Sequence, residues 1–274
     1  MKLLFIGDIC GRPGRELIRR GLAALVARHE ADFVIANVEN AAAGFGITPD
    51  LADDLAGYGI EVMTTGNHVW DKKEIYPYFE RNARLIRPAN FPAGAPGNGS
   101  VVVRTSAGVS VGVINIMGRV FMTPLDDPFA VVLHEIEAVQ KEAAVVFVDF
   151  HAEATSEKVA MGWHLDGRVT AMVGTHTHVQ TADERVLPRG TAYITDVGFT
   201  GPHDSVIGVE RGNALGRFLT GMPQRFETAS ENPRLNGVVV TCDAATGRAS
   251  AIERINLSAA DLEALAESAA AART

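Results

Sequence analysis

The chain has 274 residues, 47% of them hydrophobic and 21% charged, a composition that excludes a disordered or fibrous protein and can fill a sizeable core. Lys+Arg 25 against Asp+Glu 33 leaves a net charge of −8, which argues against a basic surface tracking long nucleic acid. Cys10 and Cys242, its two cysteines, are too few for a disulfide framework and fit a reducing, cytoplasmic setting. The first apolar run stops at Asp8 and no later run reaches the ~18 residues of a membrane span, so neither a signal-peptide core nor a membrane anchor is expected.

Residues 3–7 read as a buried strand. Residues 13–29 follow as a helix, with Leu17, Ile18, Leu22, Leu25 and Val26 at helical spacing and Pro13 near the first turn. Residues 33–38 form the next strand. Thr48 caps a helix that opens at Pro49 and stops at Gly57 or Gly59, and 61–65 is a third strand. Residues 100–105 and 110–116 pair as a hairpin around Ala107-Gly108, so the architecture is mixed rather than purely parallel. A helix over 128–141, a continuous apolar strand over 144–150, a short helix over 156–165 and strands at 169–174 and 191–195 come next. A second hairpin (235–242 and 249–255) precedes an Ala-rich helix over 258–272, capped by Ser258 with Asp261 in a partial capping box. The Pro/Gly-rich stretch 88–99 reads as a long surface loop inside one domain, 1–274, rather than a linker.

The informative residues stand where these apolar strands end: Asp8, then Glu39-Asn40, Asn67-His68, His151, and Thr175-His176-Thr177-His178. Loops converge at the carboxyl ends of strands in α/β sheets, and the strands hold them rigidly. Any one of these residues alone reads as a turn former, a cap or a hydrogen-bonded structural histidine. Five strand ends together aim at one place. His176 and His178 are two apart, and in extended backbone they point to the same side, as paired metal ligands do. Asp8, Glu39, Asn40, Asn67, His151, His176 and His178 are more donors than one four-coordinate ion uses and suit two ions sharing a bridging carboxylate. Two divalent cations, less two carboxylates and one hydroxide, leave about one positive charge, a match for a phosphodiester monoanion. The mixed nitrogen and oxygen set accepts manganese, iron, zinc or cobalt.

In the order Gly7-Asp8, Glu39, Gly66-Asn67-His68, His151 and Gly174-Thr175-His176-Thr177-His178, the chain resembles the calcineurin-like metallophosphoesterase superfamily. In Phe5-Ile6-Gly7-Asp8, Val38-Glu39-Asn40-Ala41-Ala42-Ala43-Gly44-Phe45-Gly46 and Thr195-Asp196-Val197-Gly198 it is similar to the bacterial YmdB-like branch. Cys10 stands where the superfamily's Asp-x-His has its histidine, and Glu39 beside Asn40 replaces the usual bridging Asp; the branch shares both departures. The resemblance implies an α/β sandwich of two mixed β-sheets flanked by helices. It also implies two divalent or trivalent ions, iron or manganese first: one on Asp8, Asn40 and His178, the other on Asn67, His151 and His176, with Glu39 bridging. It further implies hydrolysis of a 2′,3′-cyclic nucleotide by a bridging hydroxide, with His68 as general acid.

Many superfamily members carry an acid directly after that histidine, whereas Val69 follows here. Asp71 or a backbone carbonyl is expected to orient His68; Asp71 reads equally well as a cap before Lys72-Lys73-Glu74. Cys10 reads as packing, His29, His134 and His164 as ordinary helix residues, and Arg119 either as a phosphate contact or as the partner of a surface acid. The expected partner is a small phosphodiester or nucleotide, with neither long nucleic acid nor a membrane, and a homo-oligomer is left open. Competing readings are a phosphomonoesterase or nucleotidase with the same centre, a regulatory metal- and nucleotide-binding protein with little turnover, and a metal-stapled structural domain.

Overall fold

Nearly every position of the inner strands is apolar because both faces of each strand are covered. The computed structural model describes residues 1–271. In chain order the first part comprises β1 (Lys2–Ile6), β2 (Asp8–Ile9), α1 (Gly11–His29), β3 (Phe33–Asn37), α2 (Pro49–Gly57), β4 (Val62–Thr64), a 3₁₀ turn (Lys73–Ile75) and α3 (Tyr76–Arg81). The middle part comprises β5 (Ser100–Arg104), β6 (Ser110–Met117), α4 (Pro128–Val139), β7 (Val145–His151), α5 (Thr155–Leu165) and β8 (Ala171–Thr175). The last part comprises β9 (Arg185–Val186), β10 (Ala192–Ile194), β11 (Phe199–Pro202), α6 (Arg211–Thr220), β12 (Pro233–Cys242), β13 (Ala249–Ser258) and α7 (Ala259–Ala271).

One sheet runs β2-β11-β12-β1-β3-β4, with β13 on the other edge of β12; the second runs β5-β6-β7-β8-β10-β9. Both are mixed. In the first, β1, β3 and β4 are parallel while β12 joins β1 antiparallel; in the second, β6, β7, β8 and β10 are parallel and the edges are antiparallel. Alternation along the strands divides the apolar side chains between layers. Leu3, Phe5, Phe33 and Ile35 meet Val111, Val113, Val145 and Phe147 between the sheets, where the rings of Phe5 and Phe147 stack at 5.2 Å. Leu4, Ile6 and Val34 face Leu17, Ile18, Leu22 and Leu262 outside the first sheet. Val146, Val148 and Phe150 face Val132, Ile136 and Met161 outside the second. Among the described residues no helix is long and apolar enough to cross a membrane.

The long strands and helices stand within a residue or two of their expected places, except that β13 runs three residues past its expected end, to Ser258. Thr48 Oγ1 accepts from Leu51 N–H, and Ser258 and Asp261 bond reciprocally as a capping box; the expected helix end at Ala272 lies outside the described residues. The 88–99 loop is exposed at its tip, but its base is tied in: buried Asn90 donates to the carbonyls of Met117 and Asp126 and accepts from Met117 N–H. The sequence reading does not contain β2, β9, β11, α3 or α6. β11 contains Gly201 and Pro202 and is a strand because Phe199 and Thr200 pair with Asp8 and Ile9, far away in the sequence, an arrangement with no local signal.

One correction concerns His176 and His178. They do not lie in extended backbone: φ is 99° at His176 and 62° at His178. The chain leaves β8 through left-handed conformations, which separate the two rings instead of stacking them on one strand face.

Gly174, in β8, has no room for a side chain, since a Cβ would stand 1.8 Å from the Thr195 carbonyl oxygen of the adjacent chain segment. Gly174→Ala should lower the unfolding free energy by about 1–3 kcal/mol, measured as a lower urea midpoint at unchanged slope.

Candidate metal centre

Between the sheets, the inward face changes from apolar to polar toward the carboxyl ends of the parallel strands. Phe33 and Ile35 give way to Asn37, Val62 to Thr64, Val113 to Asn115, Phe147 to Asp149 and Val173 to Thr175, all five polar residues being fully buried. Asp149 is their hub. Its Oδ2 accepts from Asn37 Nδ2 (3.1 Å) and Thr64 Oγ1 (2.5 Å) of the opposite sheet, and its Oδ1 accepts from Thr175 Oγ1 (2.7 Å). Burial pushes its carboxyl up, and His151 and the Thr64 and Thr175 hydroxyls, which favour the charged form, offset part of that to leave it at about 6.

This layer orients the histidines above it. Thr175 Oγ1 directs its hydrogen to Asp149, so at 2.9 Å from His151 Nδ1 it accepts the Nδ1 hydrogen, which leaves the neutral ring's lone pair on Nε2. His176 is bonded through Nε2 to Glu153 Oε2 (3.1 Å), which leaves Nδ1 facing inward. His178 Nδ1 donates to the Ile207 carbonyl (2.8 Å), which leaves Nε2 facing inward. Each histidine thus has its outer nitrogen engaged, the arrangement in which imidazoles ligate metals.

The inward atoms form two sets. His151 Nε2 lies 3.0 Å from Glu39 Oε1, 2.8 Å from Asn67 Oδ1 and 3.0 Å from His176 Nδ1. One ring nitrogen carries at most one hydrogen and cannot satisfy three acceptors, whereas a cation satisfies all four donors together. Glu39, His151 and His176 are, among the described residues, the group of acids and histidines close enough to hold a metal ion. Gly66 permits this closeness, because a Cβ there would lie 2.2 Å from the His151 ring. The second set is Asp8, Asn40 and His178: Asn40 Nδ2 donates toward His178 Nε2 (3.1 Å) and Asp8 Oδ1 (3.5 Å), the amide end that would have to exchange places with Oδ1 for Asn40 to meet a cation, and His178 Nε2 lies 3.8 Å from that same Asp8 oxygen. Asp8 Oδ2 accepts from His176 N–H, which joins the two sets.

Charge follows the geometry. Burial pushes His151 down, but Glu39, reinforced by Asp8 and Asp149, holds it up at about 9. Burial likewise pushes Glu39 up, and His151 outweighs it to leave the carboxyl at about 2. Burial and then the like charge of His151 depress His176 to about 3. A proton shared between His151 and Glu39 is what a bound cation would replace.

All eight candidate residues read from the sequence therefore meet. His68 stands beside the two sets: its N–H donates to Glu39 Oε2 (2.9 Å), its Nδ1 lies 2.8 Å from Asp71 Oδ2, and its ring packs edge-on against Phe45. Asp71 thus contacts the histidine; the residue at the start of the 3₁₀ turn is Lys72. A cavity of about 160 Å³ opens over His68, His176, His178, Glu39 and Asn40. Arg119 pairs with Asp127 at 3.3 Å on the surface.

The sequence reading missed the supporting residues. Lys158, buried in α5, donates to Asp196 Oδ2 at 2.6 Å, and that oxygen also accepts from Thr177 N–H and Oγ1, while Oδ1 accepts from Gly198 N–H. The Thr195-Asp196-Val197-Gly198 run is therefore the anchor of the loop that carries His176 and His178. For Asn37 and Asp149 a signal is present, a polar residue in register with an inward apolar series; for Lys158 and Glu153 there is none.

Cys10 borders the cavity but is packed against Gly201 and Gly208. Burial, with Asp8 adding to it, pushes its thiol up to about 12, and burial pushes Cys242 to about 11. Both thiols should react with an aromatic disulfide reagent at pH 8 on the order of a hundredfold more slowly in the folded protein than in urea. Equal time courses would show that Cys10 is a reactive thiol.

Comparison with known proteins accords with this geometry. The YmdB-like protein family matches residues 4–255. A 2′,3′-cyclic-nucleotide 2′-phosphodiesterase of Bacillus subtilis is 49% identical over 255 residues, 93% of this chain and 96% of that protein. The crystal structure of a hypothetical protein from Thermus thermophilus superposes with a TM-score of 0.86 at 42% identity, over 94% of this chain and 99% of the other. A structure described as a novel phosphatase from Mycoplasma pneumoniae gives 0.88 at 35% identity, over 94% and 93%. With this fold and this match over most of its length, the chain belongs to the YmdB-like family, the branch of the metallophosphoesterases that its strand-end residues indicate.

Proposed function

We propose that this protein, a phosphoric diester hydrolase by family, cleaves 2′,3′-cyclic nucleotides at a two-metal centre. The observation that carries the reading is the pair of inward donor sets whose histidine tautomers are fixed from outside. Glu39, Asn67, His151 and His176 would hold one ion and Asp8, Asn40 and His178 the other, with Glu39 shared; iron and manganese suit the donors, as do zinc and cobalt. Bound ions supply an activated water and positive charge against the phosphoryl oxygens.

The chain's own residues do the rest. Asp149, Thr175, Glu153 and the Ile207 carbonyl keep the imidazoles turned inward. Glu39, buried and accepting from His68 N–H, fixes the backbone that places His68 at the cavity. The His68 ring, gripped at Nδ1 by Asp71, has no protein hydrogen-bond partner at Nε2 among the described residues, and from there it donates a proton to the departing ribose oxygen. The 49% identity to an enzyme named for 2′,3′-cyclic nucleotides supports this substrate over a phosphomonoester. Two buried, unpaired cysteines are in keeping with a cytoplasmic setting, and we take residues 1–274 to work as one domain.

Metal analysis of the purified protein should find about two ions per chain, and chelation should abolish hydrolysis of 2′,3′-cyclic AMP, with recovery on adding manganese or iron; a preparation with less than one ion that stays inactive after loading contradicts the reading. His68→Ala should retain both metals and lose about 10²–10⁴-fold in kcat, with a smaller loss on a nitrophenyl diester whose leaving group needs no proton. Loss of metal instead would make His68 a ligand. Asp71→Asn should lower kcat by about tenfold with metal content and KM unchanged, as expected of a residue acting through its neighbour.

A further inference from the structure

A second cleft, of about 800 Å³, lies beside the metal cavity and shares Phe226, Glu227 and Thr228 with it. The loop that follows Glu39 is the partition: Asn40, Gly44 and Phe45 face the metal cavity, and Ala42 and Ala43 face the second cleft. Four cations, Arg12, Arg15, Lys72 and Arg225, line this cleft against two acids, Glu74 and Glu227, in a chain whose net charge is −8. Arg225 stands 4.0 Å from Glu227. Among the described residues no carboxylate lies within ion-pairing distance of Arg12, Arg15 or Lys72.

The cations are placed by the fold. Arg15 is half-buried and its Nη1 donates to the Ala41 carbonyl, so its guanidinium is pinned to the partition. The stem of Lys72 crosses Gly46, where a Cβ would come within 2.7 Å of Lys72 Cγ. Arg12 and Arg15 both rise from the first turns of α1, where the first turn has no acidic residue and Cys10 provides no side-chain cap, so the positive end of the helix adds to the field. Like charges gathered without partners repel one another, and that cost is offset when an anion sits among them.

The geometry points to a subsite for a second phosphate on the same molecule whose phosphodiester occupies the metal cavity. This rests on the proposed reaction and extends it to a substrate class: a nucleoside 2′,3′-cyclic phosphate that also bears a 5′-phosphate, rather than the simple cyclic mononucleotide. The Ala-Ala-Ala-Gly-Phe-Gly run after Asn40 then has a role on both its faces, closing the metal cavity on one side and framing the phosphate cleft on the other.

Binding can be measured without turnover. In calorimetry on the purified protein, adenosine 3′,5′-bisphosphate should bind about tenfold more tightly than adenosine 3′-monophosphate at low salt, the contribution of one or two charge-assisted contacts, and the ratio should fall as salt is raised. Arg12→Ala/Arg225→Ala should bring the ratio close to one, while Arg104→Ala, at the exposed end of β5, should leave it at the wild-type value. Inorganic phosphate added with the monophosphate should not reproduce the gain; if it does, the cleft takes a free anion and the proposal fails. A wild-type ratio near one, or a ratio unmoved by salt and by the double substitution, also overturns it. In turnover, kcat/KM should favour the 5′-phosphorylated cyclic nucleotide by a similar factor. A protein that shows the binding preference but hydrolyses neither cyclic nucleotide keeps the subsite and loses the proposed reaction.

Discussion

The carboxylate of Asp149 is the interaction on which the rest of the centre depends. It is fully buried between two sheets and takes hydrogens from Asn37 and Thr64 of one sheet and Thr175 of the other. A buried carboxylate without donors would be costly; with three it becomes a cross-sheet tie. By claiming the Thr175 hydrogen it also dictates which nitrogen of His151 carries a lone pair. One buried group thereby couples the closing of the sandwich to the chemistry of the candidate metal centre.

The same dependence on position recurs one layer out. The Lys158–Asp196 pair is shielded from water, and the cost of burying its charges is offset in part by Thr177 and Gly198, which occupy the remaining acceptor sites of the carboxylate. It holds a loop whose two histidines sit in left-handed backbone. Backbone of that kind is tolerated where the surroundings over-determine it, and here it sends His176 to Glu39 and His151 and sends His178 to Asp8 and Asn40. The acidic net charge and the chemistry of an anionic substrate would be reconciled by placement: ions held among the buried acids and histidines of the donor sets would bring positive charge there, and Arg12, Arg15, Lys72 and Arg225 line the neighbouring cleft.

Much of this was legible in the sequence. Continuous apolar runs such as 144–150 announce strands buried on both faces, and a polar residue ending each run marks the carboxyl-end rim. That is why Asp8, Glu39, Asn40, Asn67, His68, His151, His176 and His178 could be named together. Thr48 and Ser258 were readable as caps because capping is a contact between residues three apart. The short strand β11 and helix α6 were not readable: the first exists through pairing with residues 8–9 on one side and 233–234 on the other, and the second buries only Ala214 among its residues.

By itself, then, the sequence determined the two-sided burial of the strands, the residue types at their ends and the family those residues belong to, because each is set by local periodicity or by short runs of neighbours. Only the tertiary structure decided which donors face one another, which nitrogen of each histidine points inward, and that four basic residues from three separate segments share one cleft. It also chose between two local readings of Asp71, which touches His68 three positions away. The other arrangements depend on contacts between residues such as His151 and Thr175, or Asp8 and His176, which are 24 and 168 positions apart. Such separations are closed by the packing of the two sheets rather than by any pattern along the chain.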